Sequence, residues 1–211
     1  FNKGRMVVNP KGASNKVRFY DNSISRSYCY APGALMSSGG SSCTFSGETS
    51  GNHVVPIVGC KLQSMIAVNG NMKVEGKDAA HGTTRELQAP EDSRHFEIQG
   101  NAVLELKFIM LTDGRSSNNG GCILIDGMSS DTGDPLAKLI VTSSIFKGCK
   151  SSGTNSLGGA IYASRRVAIN ITRSTFQDCT ATYEDSDGNY QDTDGPAALS
   201  KDGTTLYVGN Y

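Results

Sequence analysis

Gly158-Gly159-Ala160-Ile161 is the clearest of three related tetrapeptides in the second half of the chain. Gly120-Gly121-Cys122-Ile123 precedes it, and a degraded version, Gly195-Pro196-Ala197-Ala198, follows it. A second motif recurs beside the first, as Phe146-Lys147-Gly148-Cys149 and then as Phe176-Gln177-Asp178-Cys179. Motifs that recur at intervals of 30 to 38 residues indicate a solenoid built from stacked units.

Three runs, each counted backwards from an apolar residue at a predicted corner of the chain, share one spacing of apolar and small residues. The matched positions are Ala102, Leu104, Leu106, Ile109 and Leu111; Ala137, Leu139, Val141, Ser144 and Phe146; and Val167, Ile169, Ile171, Ser174 and Phe176. Residues two apart on a strand face the same side, so each set points inward and the polar residues between them face water. The step of three residues in each run predicts a bend, which is a corner of the solenoid.

A polar segment follows each corner, at 115–119, 150–156 and 183–194, and we interpret all three as loops of variable length. In a solenoid such insertions lie outside the core and leave the neighbouring units in register. The Gly-Gly pair then allows a positive φ and a tight entry into the next strand. With no amphipathic helical stripe in the chain, these patterns predict a parallel β-helix.

The two motifs together resemble the repeats of chlamydial polymorphic outer-membrane proteins, whose signatures are Gly-Gly-Ala-Ile and Phe-x-x-Asn. Gly158–Ile161 matches the first signature fully, whereas Cys149 and Cys179 stand where that family has Asn. The likeness covers roughly residues 100–200 and extends more broadly to right-handed parallel β-helix proteins. It implies an all-β fold, a right-handed single-stranded parallel β-helix, and a secreted or cell-surface location.

The first half of the chain is less regular, and we predict two regions. Residues 1–52 form an irregular N-terminal arm and cap, and residues 53–211 form the coils of the β-helix. Within the coils we predict early strands and a final one, at 54–58, 65–68, 72–74 and 204–211. Because the chain begins at Phe1 without a signal segment, we expect a processed or truncated piece of a longer protein.

The cysteines predict disulfide bonds. There are six, at Cys29, Cys43, Cys60, Cys122, Cys149 and Cys179, with no Cys-x-x-Cys pair and no nearby histidines, which favours disulfides in an oxidising compartment over zinc. Six buried thiols in a reducing compartment are the alternative. Cys29 and Cys43 are placed to close a small loop. Cys149 and Cys179 occupy equivalent corners and form either a disulfide or a ladder of small buried thiols.

One N-glycosylation sequon, Asn170-Ile171-Thr172, lies in the third strand run. The alternation there places Asn170 on the outer face, because Ile169 and Ile171 point inward. A glycan is therefore sterically free in a eukaryotic secretory host. The alternative is a chance sequon in a chain rich in Ser and Thr.

Charge and composition point away from several functions. Twenty basic and twenty acidic residues cancel without a block of like charge, which gives no sign of nucleic acid binding. The apolar stretches are far shorter than the roughly 20 residues of a membrane-spanning helix. We find no catalytic constellation and no cofactor or metal site. The acidic residues Asp178, Glu184, Asp185, Asp187, Asp192 and Asp194 read as a solvated polar loop that lacks the ligand spacing of a calcium loop.

We therefore expect an extracellular structural or adhesive protein. The ends of a β-helix are unpaired strand edges, and residues 1–28 are suited to reach a neighbouring molecule, so we expect head-to-tail assembly into a filament. The alternative is a carbohydrate-binding or polysaccharide-degrading module, in which Tyr162, Tyr183 and Tyr190 would stack on sugars.

Overall fold

The computed structural model describes residues 41–76, 84–127, 137–154, 156–164, 167–184, 190–193, 197–199 and 205–209. The regular secondary structure in these ranges consists of β-strands alone. The strands are β1 (Gly51–Val55), β2 (Cys60–Lys61), β3 (Ile66–Val68), β4 (Asn71–Gly76), β5 (Arg85–Gln88), β6 (Phe96–Gly100), β7 (Val103–Lys107), β8 (Ile109–Thr112), β9 (Arg115–Ser116), β10 (Ile123–Gly127), β11 (Ala137–Thr142), β12 (Ile145–Lys147), β13 (Lys150–Thr154), β14 (Ile161–Ser164), β15 (Val167–Thr172), β16 (Thr175–Gln177), β17 (Thr180–Glu184), β18 (Tyr190–Thr193), β19 (Ala197–Leu199) and β20 (Thr205–Gly209).

The strands form four sheets. Sheet 1 has the order β1-β4-β7-β11-β15-β20, sheet 2 the order β2-β5-β8-β12-β16, and sheet 3 the order β3-β6-β10-β14-β19. All neighbours in these three sheets are parallel. Sheet 4 has the order β9-β13-β17-β18, with β18 antiparallel to β17. The all-β prediction is confirmed for these ranges, and the arrangement is compatible with a solenoid.

The chain visits the sheets repeatedly in one order, and we call each round a tier. Tier one is β1 to β3, tier two is β4 to β6, tier three is β7 to β10, tier four is β11 to β14 and tier five is β15 to β19; β20 then returns to sheet 1. Tiers three to five visit sheet 4 between sheets 2 and 3. Each tier is therefore joined to the next by hydrogen bonds between parallel strands.

The register of the sheets follows the alignment expected from the sequence. Leu139 of β11 is the partner of Leu104 in β7 and of Ile169 in β15, and Phe146 is the partner of both Leu111 and Phe176. All of these side chains except that of Phe176 are at most 3% exposed. The predicted alignment of the three runs is thus confirmed, and burial of such side chains contributes about 1.5–3 kcal/mol each to folding.

The bends between sheets are made by single residues with left-handed backbone. Sheet 1 passes to sheet 2 through Phe108, Ser143 or Arg173, at φ of 54°, 48° and 50°. The bend after sheet 2 uses Asp113, Gly148 or Asp178, at φ of 59°, 66° and 52°. One residue in this conformation reverses the alternation of faces, which explains the step of three residues in the sequence runs.

The strand predicted at 54–58 is wrong in its bounds, because β1 spans Gly51–Val55. The chain turns at Pro56, where the N–H of Gly59 donates to the carbonyl of Pro56 at 2.9 Å and Gly59 has a φ of 76°. Pro lacks the N–H that a strand interior needs. Ile57 and Val58, which we expected in the strand, consequently lie in an exposed turn.

The three segments expected to be loops contain strands of sheet 4: β9 lies in 115–119, β13 in 150–156, and β18 with the end of β17 in 183–194. Their inward positions are occupied by Ser116, Ser151 and, in β17, Ala181, which are at most 7% exposed. Small and polar inward residues remove the hydrophobic alternation that reveals a strand in sequence. The sequence pattern therefore did not predict sheet 4.

Candidate functional site

The two glycines of each Gly-Gly motif serve different purposes. Gly120 and Gly158 have φ of 70° and 71°, the left-handed region that favours glycine. Gly121 lies instead against the next tier, where an added Cβ would come within 2.2 Å of the carbonyl oxygen of Gly159 and 2.5 Å of the Lys150 backbone. Gly159 faces the backbone of Thr180 in the same way, at 2.6 Å.

Two disulfide bonds are formed, Cys43–Cys60 and Cys122–Cys149. The expected Cys29–Cys43 pairing is therefore wrong. Both alternatives for Cys149 and Cys179, a mutual disulfide or a ladder of free thiols, are also wrong, because Cys149 is bonded to Cys122. Cys43 lies beside Cys60 because the segment before β1 pairs with β2: the N–H of Cys43 donates to the carbonyl of Lys61 at 3.0 Å. Cys29 lies outside the described residues.

Cys149 bonds to Cys122 because tier three has a glycine at the position of Cys149. Gly114 precedes Cys149 in that column, and its carbonyl accepts from the N–H of Lys150 at 2.8 Å. A Cβ on Gly114 would lie 2.5 Å from Cys122 Sγ, so the sulfur occupies the space that a side chain would fill. Stacked parallel side chains such as Cys149 and Cys179 are not aimed at each other.

Cys179 is a free, buried thiol, 8% exposed. It lies within hydrogen-bonding distance of the carbonyls of Gln177 (3.3 Å) and Phe146 (3.5 Å). Burial raises the pKa of this thiol to about 11. The unreactive thiol form is therefore favoured at neutral pH.

Asn170 is exposed on the outward face of β15, between the buried Ile169 and Ile171. Its register partners are Ile140 on one side and Tyr207 on the other. The position is therefore open to solvent, as a glycan requires.

The residues considered for catalysis do not come together as a site in the described ranges. Asp178 is exposed at a bend, Glu184 and Asp192 lie in β17 and β18, and Asp185, Asp187 and Asp194 lie outside the described residues. The described residues contain no group of three or more His, Cys, Asp or Glu that could hold a metal ion. They also contain no helix long and apolar enough to cross a membrane.

The tyrosines expected to bind sugar are distributed over two sheets. Tyr162 is half-buried on the outward face of β14 in sheet 3. Tyr183 and Tyr190 lie in the antiparallel strands of sheet 4, where the register pairs Tyr183 with Gln191 and Glu184 with Tyr190. The two tyrosines of sheet 4 are thus not cross-strand partners.

The outer face of sheet 1 is charged near its beginning. Glu75 accepts from Lys73 at 3.0 Å and contacts Lys107 of the next tier at 3.5 Å. The hydrogen bond between Lys73 and Glu75 lowers the pKa of Glu75 and raises the pKa of Lys73. These charges keep the face hydrated and are worth little in stability at the surface.

The beginning of the stack is apolar by contrast. Val54 of β1 is 50% exposed, and Ile57 and Val58 in the following turn are 79% and 62% exposed. We call these three residues the tier-one patch. Strand β1 pairs with β4 alone among the described strands, and β20 at the other end of sheet 1 pairs with β15 alone. The sequence did not predict this patch, because residues 54–58 have the pattern of a strand.

Comparisons with protein-family models, with curated proteins and with solved structures found no match to this chain.

Proposed function

We propose that this chain is a structural, adhesive element of an extracellular assembly, built as a right-handed single-stranded parallel β-helix that continues head to tail from one molecule to the next. The observation that carries the proposal is the construction of sheet 1. It begins at β1 and ends at β20, and each of these edge strands has one partner among the described strands. The two edges belong to one sheet and run parallel, so β20 of one molecule and β1 of the next can form the same ladder that joins the tiers within a molecule.

The handedness in this proposal follows from a general rule. Parallel strands of one sheet that are joined by a crossover are right-handed in roughly 98% of cases. Every connection between successive strands of sheets 1, 2 and 3 is such a crossover. The resemblance to chlamydial polymorphic outer-membrane protein repeats supports the same hand.

The tier-one patch supports an edge that pairs rather than one that is protected. Proteins blunt exposed edge strands with charged residues, bulges or covering segments. Strand β1, Gly51-Asn52-His53-Val54-Val55, carries no permanent charge, and Ile57 and Val58 extend the apolar surface beyond it. A contact of this kind joins two different surfaces and therefore propagates instead of closing. Residues 1–28 act as the arm that completes the contact.

The extracellular setting rests on the cysteines. Two disulfide bonds persist most readily in an oxidising compartment, as in secreted and cell-surface proteins. The exposed sequon at Asn170 fits a secretory route in a eukaryotic host.

Electron microscopy of concentrated protein tests the proposal. The wild type is expected to form filaments, and deletion of residues 1–28 is expected to abolish them. A Val54→Lys/Ile57→Lys variant places charge on the tier-one patch and is also expected to abolish them. Leu157→Lys is the matched control, because Leu157 is an exposed apolar residue, 43% accessible, outside the patch. Monodisperse wild-type protein at high concentration would refute assembly, and filaments unaffected by the double variant would refute this interface.

A sugar-binding or polysaccharide-degrading module is the alternative. The observation in its favour is Tyr162 on the outward face of sheet 3, where an aromatic ring can stack on a sugar. Binding on a glycan array that disappears in Tyr162→Ala, with no filaments under any condition, would favour this alternative.

A further inference from the structure

Arg94 is the one buried residue with a permanent charge in the described part of the chain, and it is 7% exposed. It lies just before β6 in tier two, which, like tier one, contributes no described strand to sheet 4. The carbonyl of the preceding Ser93 accepts from the N–H of Arg115 at 2.9 Å, which holds this segment below β9. The guanidinium therefore lies in the interior, next to β9 of sheet 4.

The partners of Arg94 are neutral. Its Nη2 donates to the hydroxyl of Ser116 at 2.6 Å and to the side-chain oxygen of Asn118. Its Nη1 has no hydrogen-bond partner in the described structure, and neither ion pair found there includes Arg94. The carboxylate of Glu97 attracts Arg94 from a distance but makes no ion-pair contact with it. A buried charge without a contacting counter-charge is costly, and proteins normally pair such groups.

Two buried hydroxyls next to this position also lack partners among the described residues, those of Ser151 and Ser156. Ser151 is fully buried and is the register partner of Ser116, about 4.8 Å away by strand spacing. Ser156 Oγ is 3.2 Å from the place of a Cβ on Gly153, two residues beyond Ser151 on the same side of β13. A Cβ there would also meet the carbonyl oxygen of Ser117, so the backbone around Ser117 packs closely against β13 beside this hydroxyl.

We propose that the cluster of Arg94, Ser151 and Ser156 binds a small monovalent anion with the size and charge of chloride. Nη1 of Arg94 supplies the charge and N–H donors, and the two hydroxyls supply O–H donors. A single guanidinium neutralises one negative charge, whereas a dianion such as sulfate would bring an uncompensated charge into the interior. The anion joins tier two, which carries Arg94, to tier four, which carries both serines.

Thermal unfolding in sodium chloride and in sodium gluconate, at equal sodium concentration and ionic strength, tests the site. Gluconate is too large to enter. The wild-type melting temperature is expected to be higher in chloride and to rise until the site saturates, as for any ligand of the folded state. Arg94→Met is expected to melt at the same temperature in both salts, and Ser151→Ala/Ser156→Ala to need several-fold more chloride. Ser144→Ala, a buried serine in another column, is the control and keeps the wild-type difference between the salts.

Equal melting temperatures of the wild type in the two salts would overturn the proposal, as would a full chloride response in Arg94→Met. Should Arg94→Met fail to fold, the double serine variant decides, because a wild-type chloride affinity in that variant overturns the site. Crystals soaked in sodium bromide give a direct readout. An anomalous peak within hydrogen-bonding distance of Arg94 Nη1 is expected, and its absence at a bromide concentration that stabilises the protein counts against the site.

Discussion

Single residues set the spacing between tiers at the Gly-Gly motifs. Position 120 requires glycine because its backbone has a φ of 70°. Position 121 requires glycine because the neighbouring tier lies too close for a side chain. A methyl group at Gly121 would meet the backbone of both Gly159 and Lys150, and backbone atoms cannot move aside as flexible side chains do. The second glycine therefore fixes how closely tiers three and four approach.

Gly121→Ala is expected to destabilise the protein by about 1–3 kcal/mol or more, because the added methyl forces the two tiers apart. Gly47→Ala is the matched control: Gly47 has a φ of 96°, and nothing lies within 4 Å of an added Cβ. That variant should lose only about 1 kcal/mol from backbone strain. Urea unfolding measures both, and an equal loss in the two variants would contradict the packing argument.

His95 makes folding sensitive to acid. It is fully buried, its Nε2 lies 2.9 Å from the carbonyl oxygen of Leu87, and burial lowers its pKa from 6.5 to about 4. The native state therefore binds this proton less readily than the unfolded chain does. The full stability contribution is present above pH 6.5 and is lost as the pH falls towards 4, by about 3 kcal/mol in total.

His95→Gln is expected to weaken this acid sensitivity, because the glutamine amide can donate to Leu87 without titrating. The free energy of unfolding of the wild type should fall more steeply than that of the variant between pH 6.5 and pH 4. Carboxylates that titrate below pH 5 affect both proteins and cancel in the comparison. Parallel curves for the two proteins would show that His95 is not the source.

At the level of strands and tiers, the Cys122–Cys149 bond joins tiers three and four. It closes a loop with a sequence separation of 27 residues, and a cross-link of that length restricts the unfolded chain. The Cys122→Ala/Cys149→Ala variant is expected to lose about 3 kcal/mol. Urea unfolding under non-reducing conditions checks this value. An unchanged midpoint would mean that packing around Gly114 holds the two tiers without the bond.

The elements that sequence predicted well are those with apolar inward residues. Leu104, Leu139 and Ile169 revealed sheet 1 and its register, because alternation of apolar and polar residues is a direct trace of one-sided burial. Sheet 4 gave no such trace, since Ser116 and Ser151 fill its inward positions. The Cys122–Cys149 pairing was missed because it depends on the space left by Gly114, and the Cys43–Cys60 pairing because it depends on the segment before β1 pairing with β2. Motif spacing carries neither packing detail, and it does not show that Arg94 contacts Ser116.

For the molecule as a whole, the sides and the ends of the stack have different properties. The outward face of sheet 1 carries the Lys73, Glu75 and Lys107 charges and, on β15, the exposed Asn170, whereas the tier-one patch lies on β1 and the turn after it. A modification on the side should therefore leave head-to-tail contacts untouched.

Secretion from a eukaryotic host is expected to add one N-linked glycan at Asn170, seen by mass spectrometry as a shift that glycosidase removes. Asn170→Gln should lack the shift and keep the thermal stability of the wild type, because the side chain is solvent-exposed. The filaments proposed above should form with or without the glycan. A wild-type protein secreted without the shift would contradict the prediction.

The placement of the disulfides has a mechanical consequence. Hydrogen bonds between parallel strands run along the stack, so a pull on its two ends loads the junctions between tiers in series. Cys122–Cys149 reinforces one of these junctions covalently, and Cys43–Cys60 ties the segment before β1 to tier one. The junctions between tiers one and two, two and three, and four and five carry no disulfide among the described residues. Under tension the molecule should part at one of those junctions, and tiers three and four should come away as a single piece.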